Sequence, residues 1–221
     1  MRIAVLLSAG LDSAVMAAQL ACERRVHPIY VSAGLAWERE ELQALDRLLA
    51  AAPFAGRCEP VARLEFSATD LYPSTHWALR GTPPAFDTPD EDVYLVGRNI
   101  MLLGKAGIHC AQAGLHQVAL GILAGNPFPD ARREFLAAMS EALTLGLQHE
   151  LTIATPLVRM HKSEVIRLGA TLGVPFELTL SCMNPRGGKH CGECSKCRER
   201  RDAFHEAGIA DPTAYATTPR R

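Results

Sequence analysis

Short apolar runs alternate with longer stretches of helical spacing along most of the chain. Residues 2–7 (RIAVLL) are an apolar run closed by Ser8-Ala9-Gly10. That predicts a strand buried on both faces, as in a parallel sheet. Residues 11–22 have helical composition, with Ala and Leu on one stripe. Val26–Val31 reads as a second strand, and an acidic-started helix follows from Glu38 to Ala51. Val61–Phe66 reads as a third strand, Asn99–Ala113 as a helix and Gln117–Ile122 as a strand. Asp130–Leu147 forms a long amphipathic helix, Thr152–Ala154 a short strand and His161–Leu172 a further helix. Residues 67–97 contain four prolines and little apolar repetition, so they read as a long functional loop. The tail after Asp211 reads as weakly structured.

Strands separated by helices predict an α/β fold: an open, mostly parallel sheet with helices on both faces. Ligands in such sheets gather beyond the carboxyl ends of the strands. The segment in that position after the first strand is Ser8-Ala9-Gly10-Leu11-Asp12-Ser13. A helix N-terminus offers unpaired N–H groups and partial positive charge, which together hold a phosphate. Small residues at Ala9 and Gly10 let an anion approach, and Ser8 and Ser13 can add hydroxyl donors. Asp12 fits if a divalent ion bridges its carboxylate to phosphates. The alternative is a plain capped helix with Ser8 or Asp12 as the N-cap. Ala9 is expected in an ordinary backbone region, because alanine disfavours positive φ.

Near the other end, Cys182, Cys191, Cys194 and Cys197 follow the spacing C-x8-C-x2-C-x2-C. Two x2 gaps let neighbouring sulfurs converge on one ion, and a Gly-rich gap returns the first cysteine, so the spacing predicts one structural zinc ion. Two disulfides, free thiols or a redox C-x2-C pair are the alternatives. A small C-terminal zinc motif, residues 176–221, would then follow an α/β domain of residues 1–175. Cys22, Cys58 and Cys110 read as small apolar fillers.

Composition narrows the class. At 221 residues with 48% hydrophobic and 21% charged residues, the chain suits one sizeable core with a modest appendage. A net charge of −1 gives no global basic field for nucleic acid. Lys196, Arg198, Arg200 and Arg201 around Cys197 leave a nucleic-acid-reading zinc knuckle as a competing reading. Basic residues also offset the charge of four thiolates on zinc, which favours structure over recognition. The opening MRIAVLL is too short for a signal peptide, no apolar run reaches membrane-span length, and clustered thiols fit a reducing cytoplasm.

Two further residues complete the candidate chemistry. Arg98, in Gly97-Arg98-Asn99, could clamp a carboxylate or phosphate, with a surface ion pair as the alternative. Lys162, opening a late helix, suits phosphate charge, although a solvated lysine is the default there. The loop from Asp70 to Asp92 could cover a substrate with His76 and Trp77 as contacts, and surface packing of these two residues is the equal alternative.

SAGLDS resembles the SGGxDS loop of the ATP pyrophosphatase superfamily, with Ala9 in place of the first glycine. Taken with GRN, PDARREF, TPL, KSEV, TLSC, HCGECSKCRER and AGIADPT, the chain resembles the 7-cyano-7-deazaguanine synthase family in register over nearly its full length. The resemblance implies an adenine-nucleotide-alpha-hydrolase-like fold and a C–N ligase of queuosine biosynthesis. It implies two adenylations that convert 7-carboxy-7-deazaguanine and ammonia to the nitrile, releasing AMP and pyrophosphate. Leu7, Ser8, Ala9, Gly10, Leu11, Asp12 and Ser13 would bind ATP with Mg2+, with Asp12, Ser13, Arg98 and Lys162 as the catalytic set. A homodimer is also implied. The chain departs from the family at Ser32-Ala33-Gly34-Leu35-Ala36-Trp37, at Phe128-Pro129-Asp130-Ala131-Arg132 and at Met183. These are positions expected to face the acid, so a paralogue activating a different acid is the alternative. A thiol-transferring relative would want a catalytic cysteine pair and a basic surface.

Overall fold

The computed structural model describes residues 1–218, the Asp90 side chain apart. Five parallel strands form one sheet: β1 (Arg2–Leu6), β2 (Arg25–Ser32), β3 (Ala62–Glu65), β4 (Gln117–Ala119) and β5 (Thr152–Ala154). Their order is β3-β2-β1-β4-β5, with Ile3 opposite Val26 and Val5 opposite Ala119. β1 is central, which explains why its run is apolar throughout. Its side chains alternate between two cores, Ile3 and Val5 in one, Ala4 and Leu6 in the other, as a pleated strand covered on both faces requires.

Helices α1 (Leu11–Ala21), α2 (Glu38–Ala50), α6 (Lys162–Thr171) and α7 (Ser195–Ala207) contribute to the first core. Helices α4 (Arg98–Ala113) and α5 (Arg133–Leu147) build the second. A one-turn helix, α3 (Trp77–Arg80), interrupts the long loop, and His76 caps it by accepting from the Ala78 N–H. Helix α6 lies very close to α1: a Cβ at Gly169 would stand 2.6 Å from both Val15 and Phe176. That close approach sets where the start of α6, and hence Lys162, lies relative to α1. Cys182, Cys191, Cys194 and Cys197 belong to the same hydrophobic core as Leu7 and Leu11.

Several expectations need correction. The helix expected over 130–147 is a 3-10 turn at Pro129–Ala131 followed by α5, because Asp130 turns inward to accept from the Asn99 N–H at 3.0 Å. Helix α7 was not expected. Its inward face carries Ser195, Cys197, Arg200, Ala203 and Phe204, so a buried arginine and a buried cysteine break the apolar periodicity. The tail is ordered: the His190 N–H donates to Ala214 O, the Ala216 N–H donates to His190 O, and Tyr215 donates to Asp211. Cys22 is exposed and Cys58 half-buried, and only Cys110 of the three is a buried filler.

Candidate active site and candidate metal centre

The β1–α1 turn lies at the carboxyl edge of the central strand. Its N-cap is Gly10, with no side-chain capping bond, so neither Ser8 nor Asp12 caps the helix. By helix geometry the N–H groups of Leu11, Asp12 and Ser13 lack helical acceptors. The Ser13 hydroxyl instead ties the turn together, donating to Gly10 O at 3.0 Å and accepting from the Ser8 N–H at 3.4 Å. Ala9 has φ 59, against expectation. The left-handed residue is held there by the segment before the first clustered cysteine, since the Leu180 N–H donates to Ala9 O at 2.9 Å.

Lys162 is not a solvated lysine. Its ammonium contacts Asp12 Oδ2 at 2.7 Å and Glu199 Oε1 at 2.9 Å, and Lys196 holds the other Glu199 oxygen at 2.6 Å. Burial opposes its charge, but the two carboxylates outweigh burial and hold the Lys162 pKa above its ordinary value. Burial would likewise raise Glu199, yet Lys162 and Lys196 bring it down to about 2. Asp12 Oδ1, by contrast, is buried with no protein partner. Sequence reasoning missed Glu199, because a glutamate in a polar helix looks solvated. Its spacing three residues after Lys196 was the available signal.

Two cavities meet at this turn. The inner one, about 270 Å³, is lined by the ends of β1 and β2 together with Glu41, Arg98 and Asn126, and both Leu7 and Val31 face it. The outer one, about 510 Å³, is bounded by Trp37, Trp77, Phe128, Met183, Lys162 and Glu199. Ser8, Gly10, Asp12, Glu41 and Arg98 border both. Trp37 and Trp77 stack with ring centroids 5.8 Å apart. The segments that depart from the family pattern thus supply outer-cavity walls. The Asn99 side-chain amide donates to Asp130 O.

Tyr30 and Glu41 were also missed. The Tyr30 hydroxyl donates to Glu41 Oε2 at 2.9 Å. Burial, above all, raises the Glu41 carboxyl to about 7, against the lowering effects of Arg98, Tyr30 and the Ser8 hydroxyl. Neighbouring Glu38 is fully engaged by Ser32 Oγ and the Ala33 and Gly34 N–H groups.

The four clustered cysteines are buried free thiols, and their sulfurs all lie within 4.8 Å of one another. Cys191 and Cys197 sulfurs are 3.8 Å apart, Cys194 and Cys197 3.5 Å. A tetrahedron of metal–sulfur bonds about 2.3 Å long has edges of about 3.8 Å. Backbone N–H groups of Asn184, Cys191 and Glu193 point at Cys182 and Cys191 sulfurs at 3.2–3.3 Å, which suits thiolates. The cluster could therefore hold a metal ion. The surrounding basic residues do not form a free patch: Arg200 is 1% exposed and bonded to Thr179, Ser181, Thr213 and Phe176 O. Arg198 binds the carbonyls of Phe86 and Thr88 and so ties the long loop to α7. Among the described residues no helix is long and apolar enough to cross a membrane.

Comparison with known proteins agrees. The family model described as queuosine biosynthesis protein QueC matches residues 2–208. A 7-cyano-7-deazaguanine synthase of Anaeromyxobacter dehalogenans (strain 2CP-C) is 36% identical over 225 residues, covering 97% of this chain and 96% of the relative. One from Methanothrix thermoacetophila is 36% identical over 229 residues, covering 97% and 98%. A solved structure titled as a predicted subunit of tRNA methyltransferase from Methanocaldococcus jannaschii matches with TM-score 0.50 at 12% identity, over 97% of this chain and 92% of that one. That likeness concerns the fold alone.

Proposed function

The chain belongs to the QueC family, whose curated members are C–N ligases named 7-cyano-7-deazaguanine synthase, and from that premise we propose that it converts 7-carboxy-7-deazaguanine and ammonia to 7-cyano-7-deazaguanine with ATP. A carboxylate is a poor electrophile. Transfer of AMP from ATP to its oxygen supplies a leaving group and releases pyrophosphate. Ammonia then displaces AMP to give an amide. Adenylating the amide oxygen and expelling AMP once more yields the nitrile.

The observation that carries this reading is the β1–α1 turn, whose uncapped N–H groups face the junction of the two cavities beside Asp12, Arg98 and Lys162. In this reading Leu7 to Ser13 cradle the triphosphate. Arg98 neutralises the acid or its transferring phosphate, and Lys162 carries charge to the phosphates. Such a site works by positioning and charge stabilisation rather than with a side-chain nucleophile. The residues fit a magnesium ion, because buried Asp12 Oδ1 lacks a protein partner. When bound, magnesium offsets phosphate charge. The cysteine cluster is read as a structural zinc site, which would hold α7 and therefore Glu199 in place.

A second reading, a family member acting on a related acid, is favoured by Trp37 and Met183 in the outer cavity, where the family pattern is lost. One assay decides between them. Protein, magnesium ATP, ammonium and a panel of acids are incubated, and AMP and pyrophosphate are followed. Release dependent on 7-carboxy-7-deazaguanine is expected. Release with another acid alone selects the second reading, and ADP with phosphate would overturn both. We also propose, from the family membership, that the chain forms a homodimer in the cytoplasm.

A further inference from the structure

The geometry points to Glu41 as the group that takes the proton from the attacking nitrogen when the amide bond forms, an inference that rests on the function proposed above. Two observations and one chemical requirement converge. Glu41 borders both cavities beside Ser8 and Arg98, where the acyl–nucleotide linkage would lie. Its neighbour Glu38 is saturated by three protein donors, whereas Glu41 accepts from the Tyr30 hydroxyl through one of its two oxygens. And the chemistry requires a proton acceptor: ammonia attacking an acyl adenylate must lose a proton.

The step balances simply. The nitrogen lone pair forms the C–N bond. The bond from acyl carbon to the bridging oxygen breaks, and its electron pair leaves with AMP. One N–H proton moves to a Glu41 carboxylate oxygen and then to solvent. A nucleophile that arrives as ammonium first loses one proton to solvent, which frees the lone pair for attack, and the second proton is the one that goes to Glu41.

The groups facing Glu41 are Tyr30 from β2, Glu38 on its own helix, Arg98 from α4 and Ser8 from the β1–α1 turn. Burial keeps the Tyr30 phenol protonated, so it remains a donor. The acceptor form of Glu41 fills as pH rises through about 7, and at a fixed concentration of free ammonia nitrogen transfer should rise over the same window and then level off.

The test separates the half-reactions. Acid-dependent pyrophosphate release is measured without ammonium, then amide and nitrile formation with it, for the natural protein, Glu41→Gln and Glu41→Asp. We expect Glu41→Gln to lose about 10²-fold in nitrogen transfer and less than about tenfold in adenylation. It should also lose the rise through pH 7. Glu41→Asp should recover part of the transfer. Equal losses in both half-reactions, or transfer and pH profile left unchanged, would overturn the assignment. If the natural protein releases no acid-dependent pyrophosphate, the functional reading itself fails, and this inference with it.

Discussion

The β1–α1 turn and the cysteine module both present backbone N–H groups toward their centres, but they use them in opposite ways. In the module, the N–H groups of Asn184, Cys191 and Glu193 already point at protein sulfurs. At the start of α1, Gly10 brings no side-chain cap to the first N–H groups. One region is finished by its own chain and the other is shaped for something that arrives. Two bridges nevertheless join them, Leu180 to Ala9 and the Lys196–Glu199–Lys162–Asp12 series. A closed structural centre thereby sets the shape of an open one.

The comparison breaks most visibly at the cysteines. Cys194→Ser should cause unfolding or aggregation with loss of bound metal, because structural zinc supplies about 10 kcal/mol or more of folding energy in small modules. Thermal melts and metal content check this, and a folded, metal-loaded variant would show that the module is not a clamp. Asp12→Ala is the counterpart at the open site. It should stay folded yet lose at least about 10²-fold in AMP release, and unchanged turnover would remove Asp12 from the chemistry. Glu199→Gln tests the bridge between the two. With one carboxylate gone from Lys162, kcat/KM for ATP should fall roughly tenfold, about 1.4 kcal/mol, while metal content holds. Glu199→Asp should recover part of the loss. Ala9→Gly probes the smallest effect. Relief of a left-handed alanine is worth about 1–2 kcal/mol and is offset by about 0.4–1 kcal/mol of unfolded-chain entropy. Denaturant unfolding should show a small net gain.

How much of this was legible follows from what each residue must satisfy. β1 announces itself because both its faces are covered, and the cysteines because ligand spacing is a local constraint. That Asp12 and Ser13 line a cavity was legible from their position after a strand. Glu41 was not, because an acidic residue near a helix start looks solvated and only the packing of α4 and β2 buries it. Arg200 hid α7 for the same reason: its partners Thr179, Ser181 and Thr213 are distant in sequence. The φ of Ala9 depends on Leu180, some 170 positions away by numbering, so residue preference alone misjudged it.

The ordered tail has a consequence for the lifetime of the cysteine centre. Thr217 takes up the Cys191 carbonyl, and its own carbonyl lies where any side chain at position 192 would have to stand. Sulfur oxidation follows exposure, and Cys191 is only 1% exposed beneath this strap. A stretch that contains no cysteine thus helps to set how long Cys191 lasts under oxidative stress.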